Sequence, residues 1–512
     1  MALEHFDALI VGAGLSGIGA AYRLQRGCPG KSWAILEARE ELGGTWDLFR
    51  YPGVRCDSDM FTLSYAFRPW THAKAIVGGR AILTYIRDAA REYGIEQKIR
   101  FGWRVKAAAW SSAEARWTLE VERAPSGETV RLVCGFLILC AGYYAYDRGH
   151  LPEFLCLERF RGRFVDAQQW TSDIDWAGKQ VVVIGSGATA VTLAPELAKR
   201  AAHVTMLQRS PTYVIERPSS DAVADALRAA LPQRLAFLLA RWRNILLGVY
   251  FYRFCRHSPR TAKWLLIARV RDALGPDYDV AKHFTPRYDP WDQRLCLAPD
   301  GDLFRAIRSG RASVVTDRIE RFTERGLMLS GGEEIEADLV VAATGLVLQP
   351  IGGVRLSVDG EPVKLGETMI YKGAMFSGVP NLASVFGYAT ASWTLKADLI
   401  AQYACRLINH MAARGYRQCV AVSDDPHPLR APLVDFSAGH FRRGIDLLPK
   451  QGAKPPWRWR RSYARDLLAL KFGRLEDGAL HFSGGSPAAA RQAGPSTEAS
   501  APAAVQDRSA AR

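Results

Sequence analysis

An α/β fold built from two nucleotide-binding domains, the second inserted in the first, is predicted by three observations in the sequence. Two apolar runs, Ala8-Leu9-Ile10-Val11 and Val181-Val182-Val183-Ile184, each lead straight into a turn of small residues. The turns, Gly12-Ala13-Gly14-Leu15-Ser16-Gly17 and Gly185-Ser186-Gly187-Ala188-Thr189-Ala190, lie 173 residues apart. Glu37 stands 20 residues past Gly17 and Arg209 stands 19 past Ala190, each where the following strand should end. Apolar strand, glycine turn, helix and charged residue in this register define a Rossmann-like unit.

In each unit the glycines let backbone N–H groups approach a pyrophosphate at a helix N-terminus, where partial positive charge favours an anion. The units differ where the ribose is read. Glu37 can accept from ribose hydroxyls, whereas Arg209, with the Ser210 hydroxyl beside it, suits a 2′-phosphate. The first turn, with Ser16 facing the pyrophosphate, leads on to Gly43-Gly44-Thr45-Trp46, a glycine pair that lets backbone lie close to a bulky cofactor. The sequence therefore predicts FAD in the first site and NADPH in the second.

Along the chain, residues 1–145 read as the first part of the FAD domain, closing on Leu137-Ile138-Leu139-Cys140. A charged, aromatic linker covers 146–178. The NADPH domain covers 179–345 and carries a helical insertion at 211–285. Residues 346–450 return to complete the FAD domain. A basic aromatic segment at 451–483 contains Trp457-Arg458-Trp459-Arg460-Arg461, and the Ala- and Pro-rich tail at 484–512 should be disordered. Within the insertion, Leu235 to Tyr252 is apolar but broken by Arg241 and Arg243, too charged for a membrane span. Trp242, Ile245, Leu246, Val249 and Tyr252 can share one helical stripe, with Arg234, Arg241, Arg253, Arg256 and Arg260 around it. Such a helix either lies in a membrane interface or packs its stripe on the NADPH domain.

The 512-residue length and 48% hydrophobic content fit a globular protein of two or three domains. A formal charge of +15 favours anionic partners. No nucleic-acid recognition module accompanies it, so an anionic membrane surface is the better match. The nine cysteines form no CxxC pair and no metal-ligand spacing, which predicts no metal site and argues against dithiol flavoenzymes. Met1 to Phe6 runs directly into the first strand without a signal-like segment. The expected location is cytoplasmic, with peripheral contact at the inner face of the cell membrane as the accompanying option.

Longer motifs carry a resemblance. Phe160-Arg161-Gly162, Asp166 and Trp170 follow the spacing FxGxxxHxxxW. With them stand Tyr51-Pro52-Gly53-Val54-Arg55-Cys56-Asp57, the run from Phe284 to Leu297, and Ala391-Ser392-Trp393-Thr394-Leu395-Lys396-Ala397-Asp398. With the paired dinucleotide units, these make the chain resemble type I Baeyer–Villiger monooxygenases, more nearly their mycobacterial ethionamide-activating subgroup, from residue 8 to about 450. The resemblance implies hydride transfer from NADPH to FAD, addition of O2 to give a C4a-peroxyflavin, and oxygen insertion into a ketone or oxidation of a thioether sulfur.

It further implies Arg294 as the fixed cation beside the activated oxygen, with Asp57 holding it in a bidentate pair. Arg55, Cys56 and Asp57 would border the cofactor, Thr45 and Trp46 would approach the flavin, and Trp393 would wall the substrate cavity. Asp166 stands where the family has a histidine, a hydrogen-bonding hinge contact, and an ionised carboxylate has no proton to donate. Slower or leakier coupling is the expectation. Two other readings stay open: a flavin monooxygenase that oxidises only nitrogen or sulfur, and a poorly coupled NADPH oxidase or redox-sensing dinucleotide binder.

Overall fold

The computed structural model describes residues 3–484 except 426–429, 435 and 460–461. The tail expected to be disordered lies outside the described residues apart from Gly484, as do Arg460 and Arg461. Strand β1 (Glu4–Val11) runs into helix α1 (Leu15–Gly27) and then parallel strand β2 (Trp33–Glu37). Both strands are buried on each face, as parallel strands covered by helices are, and α1 turns Leu15, Ile18, Ala21 and Leu24 inward. After the short helix α2 (Met60–Leu63) come β3 (Ile99–Phe101), β4 (Trp103–Ser111), β5 (Arg116–Arg123) and β6 (Glu128–Leu139).

Strand β7 (Tyr144–Gly149) crosses to the second domain, whose five-stranded parallel sheet uses β8 (Arg163–Asp166), β9 (Gln180–Ile184), β10 (His203–Gln208), β11 (Ala312–Thr316) and β12 (Leu339–Ala342). Its order is β11-β10-β9-β12-β8, and helix α3 (Ala188–Leu197) follows β9 as α1 follows β1. The expected linker at 146–178 is thus no free connector. β8 forms the edge of the second sheet, and Trp170 is buried in that domain's core, edge-on to Trp176 at 5.6 Å.

The insertion is mostly helical, as expected, although Val214–Arg217 forms a strand paired with Cys296–Pro299. Its long helices are α4 (Gln233–His257) and α5 (Pro259–Leu274). Of the two options for the stripe, packing on the NADPH domain is not what its buried member Ile245 does, since it joins the core of the first domain. α4 buries Phe237 and Ala240 in the core of the first domain, while α5 buries Val270 and Leu274 in that of the second. Arg241 is likewise no surface charge. It is 4% exposed and its Nη1 donates to the carbonyls of Phe61 at 2.7 Å and Ser64 at 2.9 Å, groups left without helical partners at the end of α2.

Helix α6 (Asp302–Arg308) precedes β11, and after β12 the chain returns through β13 (Leu346–Leu348), antiparallel to β7. β14 (Arg355–Val358), β15 (Glu361–Pro362) and β16 (Leu382–Ser384) then join the first sheet, giving the order β15-β14-β4-β5-β6-β1-β2-β3 with β16 also on β6. Helix α7 (Trp393–Arg414) packs on α1.

The segment at 451–483 completes this domain: Trp459 and Leu470 are buried, and helix α8 (Tyr463–Leu467) supplies Asp466. Asp466 accepts from fully buried Lys396 at 3.0 Å, from the Tyr388 hydroxyl at 2.6 Å and from Trp459 Nε1 at 3.2 Å. Burial pushes the Lys396 ammonium down and the carboxylate draws it back up. Lys396→Met strands a buried carboxylate and should cost about 3–5 kcal/mol. Denaturant unfolding checks this; an unchanged midpoint would show that the pair does not secure the C-terminal segment.

Candidate active site

Both glycine turns open into one cleft between the domains, with a volume of about 1640 Å³. Gly12 has φ +99°, and a Cβ there would meet the Cys140 carbonyl oxygen at 2.8 Å; a Cβ on Gly17 would meet the Gly12 oxygen at 1.8 Å. These two glycines are demanded by the turn and by helix packing. Above Gly14 the nearest atom to a Cβ is the Gly44 Cα at 3.6 Å, and beside Gly187 there is none within 4 Å, so the middle glycine of each turn borders open cleft. A cradle that a side chain would fill is what a closely approaching pyrophosphate requires. Both turns fit their dinucleotides.

Glu37 is 5% exposed, and its two oxygens accept from the N–H groups of Ala13 at 2.6 Å and Arg39 at 3.0 Å. Burial nevertheless lifts its carboxyl above the usual carboxylate range. Each oxygen keeps a lone pair for a ribose hydroxyl. Ser16 Oγ accepts from Trp393 Nε1 at 2.8 Å, leaving its own proton to donate. Gly44, at φ +56°, starts the short helix Thr45–Leu48, and Thr45 and Trp46 line the cleft as expected. The sequence reading missed Tyr146, which lies against Gly44 and hydrogen-bonds Thr45 and whose phenol burial pushes up to about 12.

In the second turn, Gly185 has φ +141° and backs onto the Ala343 oxygen, Ser186 and Ala188 line the cleft, and Thr189 hydrogen-bonds Tyr51. Arg209 and Ser210 are exposed on the cleft wall, together with Arg318, a second cation that no local motif marked.

Arg294 lines the same cleft, with Nε 3.7 Å from Asp57 Oδ2. The predicted bidentate pair is corrected to a single looser ion pair, because the guanidinium faces the cleft, leaving half of its side chain (51%) open to it. Desolvation pulls the Arg294 pKa down, but Asp57, Cys56, Tyr143 and Tyr144 together more than offset it, so the cation is held above its ordinary value; burial lifts Asp57 despite Arg294 and Arg55. Desolvation also pushes the neighbouring thiols up, Cys56 to about 11 and Cys296 to about 12, which keeps both protonated near neutrality.

Arg55 lines the cleft but is held elsewhere: Nη1 pairs with Asp302 at the start of α6 at 2.5 Å, and Nη2 donates to the Leu297 carbonyl at 3.2 Å. It ties the 51–57 loop of the first domain to the second, and sequence alone could not find a partner 247 residues away. Trp393 does wall the cleft, in an aromatic cluster with Tyr143 stacked on it at 5.2 Å and Phe386 at 5.6 Å. Tyr143 and Tyr144, bonded hydroxyl to hydroxyl at 2.8 Å, extend that wall beside Arg294. The aromatic doublet after Gly142 was the available signal.

Asp166 and Trp170 are not on the cleft wall. Asp166 Oδ2 accepts from the Gly149 N–H and Oδ1 from the Gln168 N–H, both at 2.9 Å. In place of a donor contact the carboxylate accepts twice, tying the crossing strand β7 to the second sheet. Among the described residues no cluster of His, Cys, Asp and Glu could hold a metal ion.

The flavin-binding monooxygenase-like family profile matches residues 60–243, and that of an NAD(P)-binding Rossmann-like domain matches 10–77. The FAD-containing monooxygenase EthA of Mycobacterium tuberculosis is 49% identical over 481 residues, covering 94% of this chain and 98% of that protein. The putative FAD-containing monooxygenase MymA of the same organism is 49% identical over 485 residues, with the same coverage. Among solved structures, an oxidised steroid monooxygenase bound to NADP superposes with a TM-score of 0.69 at 24% identity, over 82% of this chain and 88% of that one, a likeness of fold.

Asp166→Ala deletes both accepted hydrogen bonds and should lower stability by about 1–2 kcal/mol. Asp166→His should recover only part of this, since a neutral imidazole has one acceptor nitrogen. Thermal unfolding of the pair checks the ranking; a histidine variant more stable than the aspartate form would overturn the acceptor role.

Proposed function

The chain belongs to the FAD-containing monooxygenases, and from that premise we propose that it uses FAD and NADPH to place one atom of O2 into ketones, giving esters or lactones, and to oxidise thioether sulfur. The observation that carries this reading is the Arg294 cation, paired with Asp57 and lining the same cleft as the two dinucleotide cradles. Oxygen activation by the reduced flavin is the chemistry FAD supplies when bound.

The chain's own residues do the rest. Backbone N–H groups around Gly14 and the free proton of Ser16 hold the first pyrophosphate, and Glu37 accepts from its ribose. The turn from Gly185 to Thr189 holds the second, and Arg209, Ser210 and Arg318 gather round the 2′-phosphate. Arg294 keeps its proton at any working pH and offers a preorganised positive charge where negative charge develops on oxygen. Asp57 limits where that charge can point. Tyr143 and Trp393, backed by Phe386, give an apolar wall that excludes water and suits an apolar carbonyl or thioether. The Arg55–Asp302 pair keeps the domains in the apposition that hydride transfer needs.

Among the described residues no helix is long and apolar enough to cross a membrane. The proposal places the protein in the cytoplasm, in peripheral contact with the inner membrane face.

Purified flavin-bound protein given NADPH, O2 and a panel of ketones and thioethers should form ester and sulfoxide. Sulfoxide with no ester from any ketone would transfer the chain to the nitrogen- and sulfur-oxidising branch, and peroxide equal to NADPH consumed would mark an oxidase. Arg294→Ala should retain flavin and lose ester formation. Arg209→Ala should erode the preference for NADPH over NADH by about 1.5–3 kcal/mol, read as the ratio of kcat/KM values. An unchanged ratio would assign the 2′-phosphate to Arg318 alone.

A further inference from the structure

Helix α4 buries one face and leaves the other bare. Leu235, Leu239, Trp242, Leu246 and Tyr250, spaced by three or four residues along one side, are between 39% and 71% exposed. On α5, Trp264 is 66% exposed. Exposed apolar residues scattered singly need no explanation, but a continuous helical face of this size does.

The charge pattern around that face has one sign. From Ala226 to Arg271 there is no Asp or Glu, while Lys or Arg occurs ten times. Arg241 is buried, and Arg228, Arg243 and Arg256 are paired with Asp225, Asp221 and Asp292. Arg234, Arg253, Arg260, Arg269 and Arg271 remain exposed at the ends of α4 and along α5. Trp242 also meets the Tyr463 ring at 5.6 Å, and Tyr463 opens a helical stretch whose Leu468 and Phe472 are 62% and 66% exposed.

We propose that the outer face of α4, with the cations of α5, is a docking surface for an anionic phospholipid bilayer. This deepens the peripheral contact suggested above and is independent of the oxygenation chemistry. The leucines and Trp242 would enter the acyl boundary, and the arginines would meet headgroup phosphates. A second copy of the chain fits less well, since a two-fold contact would set this cationic rim against itself. The buried side fixes the helix to the body of the enzyme through Arg241 and through Asn244 Nδ2, which donates to Asp59 at 3.0 Å.

The test is co-sedimentation of the full flavin-loaded protein with vesicles of phosphatidylglycerol and phosphatidylcholine, or of phosphatidylcholine alone, at low and high salt. The protein should sediment with the anionic vesicles and bind the neutral ones about tenfold more weakly. Leu239→Gln/Trp242→Gln/Leu246→Gln should weaken anionic-vesicle binding about tenfold or more, and Arg253→Glu/Arg260→Glu roughly fivefold per cation. NADPH oxidation in solution and the melting temperature should stay unchanged in both. No sedimentation with anionic vesicles, or sedimentation that ignores both sets of changes, would overturn the proposal. So would a wild-type oligomer that the triple variant dissociates while vesicles bind neither form, which would assign the face to contacts between copies.

Discussion

The arrangement turns on one ion pair formed across a domain boundary. Asp57 comes from a loop of the first domain and Arg294 from the approach to a strand of the second, and they meet at 3.7 Å across the boundary. A desolvated carboxylate and an open guanidinium are poorly matched as a stabilising pair. Their value lies in orientation: the carboxylate restrains a cation that would otherwise sample the whole cleft. Arg55, two residues before Asp57, carries the mechanical load through Asp302, so the Asp57–Arg294 contact need not hold the domains together itself.

What the sequence disclosed and what it hid divide along the range of the forces involved. Strand, glycine turn and helix are local, so both cradles, Glu37 and Arg209 were legible from spacing alone. Arg294, Asp57 and Trp393 became legible only through longer motifs, and the geometry of the first two still had to be corrected. Periodicity groups Arg241 with the arginines around the stripe and cannot reveal its burial, because its acceptors, the carbonyls of Phe61 and Ser64, lie about 180 positions away. Helical periodicity had grouped Ile245 with Trp242 and Leu246, yet Ile245 is buried and the other two are not. A stripe defined by hydrophobicity cannot say which edge of it a neighbouring domain will cover.

Asp166 teaches a related lesson about substitution. Judged by side-chain chemistry, an aspartate in a histidine's place looks like a lost donor. Judged by its surroundings it is an acceptor for two backbone amides, one of them on the strand that leads into the second domain. Gly149 has no room for a side chain here, since a Cβ would meet the carboxylate oxygens at 2.6 and 2.7 Å. The residue and its glycine form a unit, and neither can be interpreted alone.

The two covalent passages between the domains lie side by side, β7 outward and β13 homeward, with Gly149 opposite Leu346 and the His150 N–H bonded to the Gly345 carbonyl at 3.0 Å. The inner module therefore enters and leaves through a single narrow doorway. Such a layout resembles a cassette with two short covalent junctions, but not a freely exchangeable one: α4 reaches back from the inner module to seat Phe237 and Ala240 in the flavin domain's own hydrophobic core, so any replacement unit would have to refill that space.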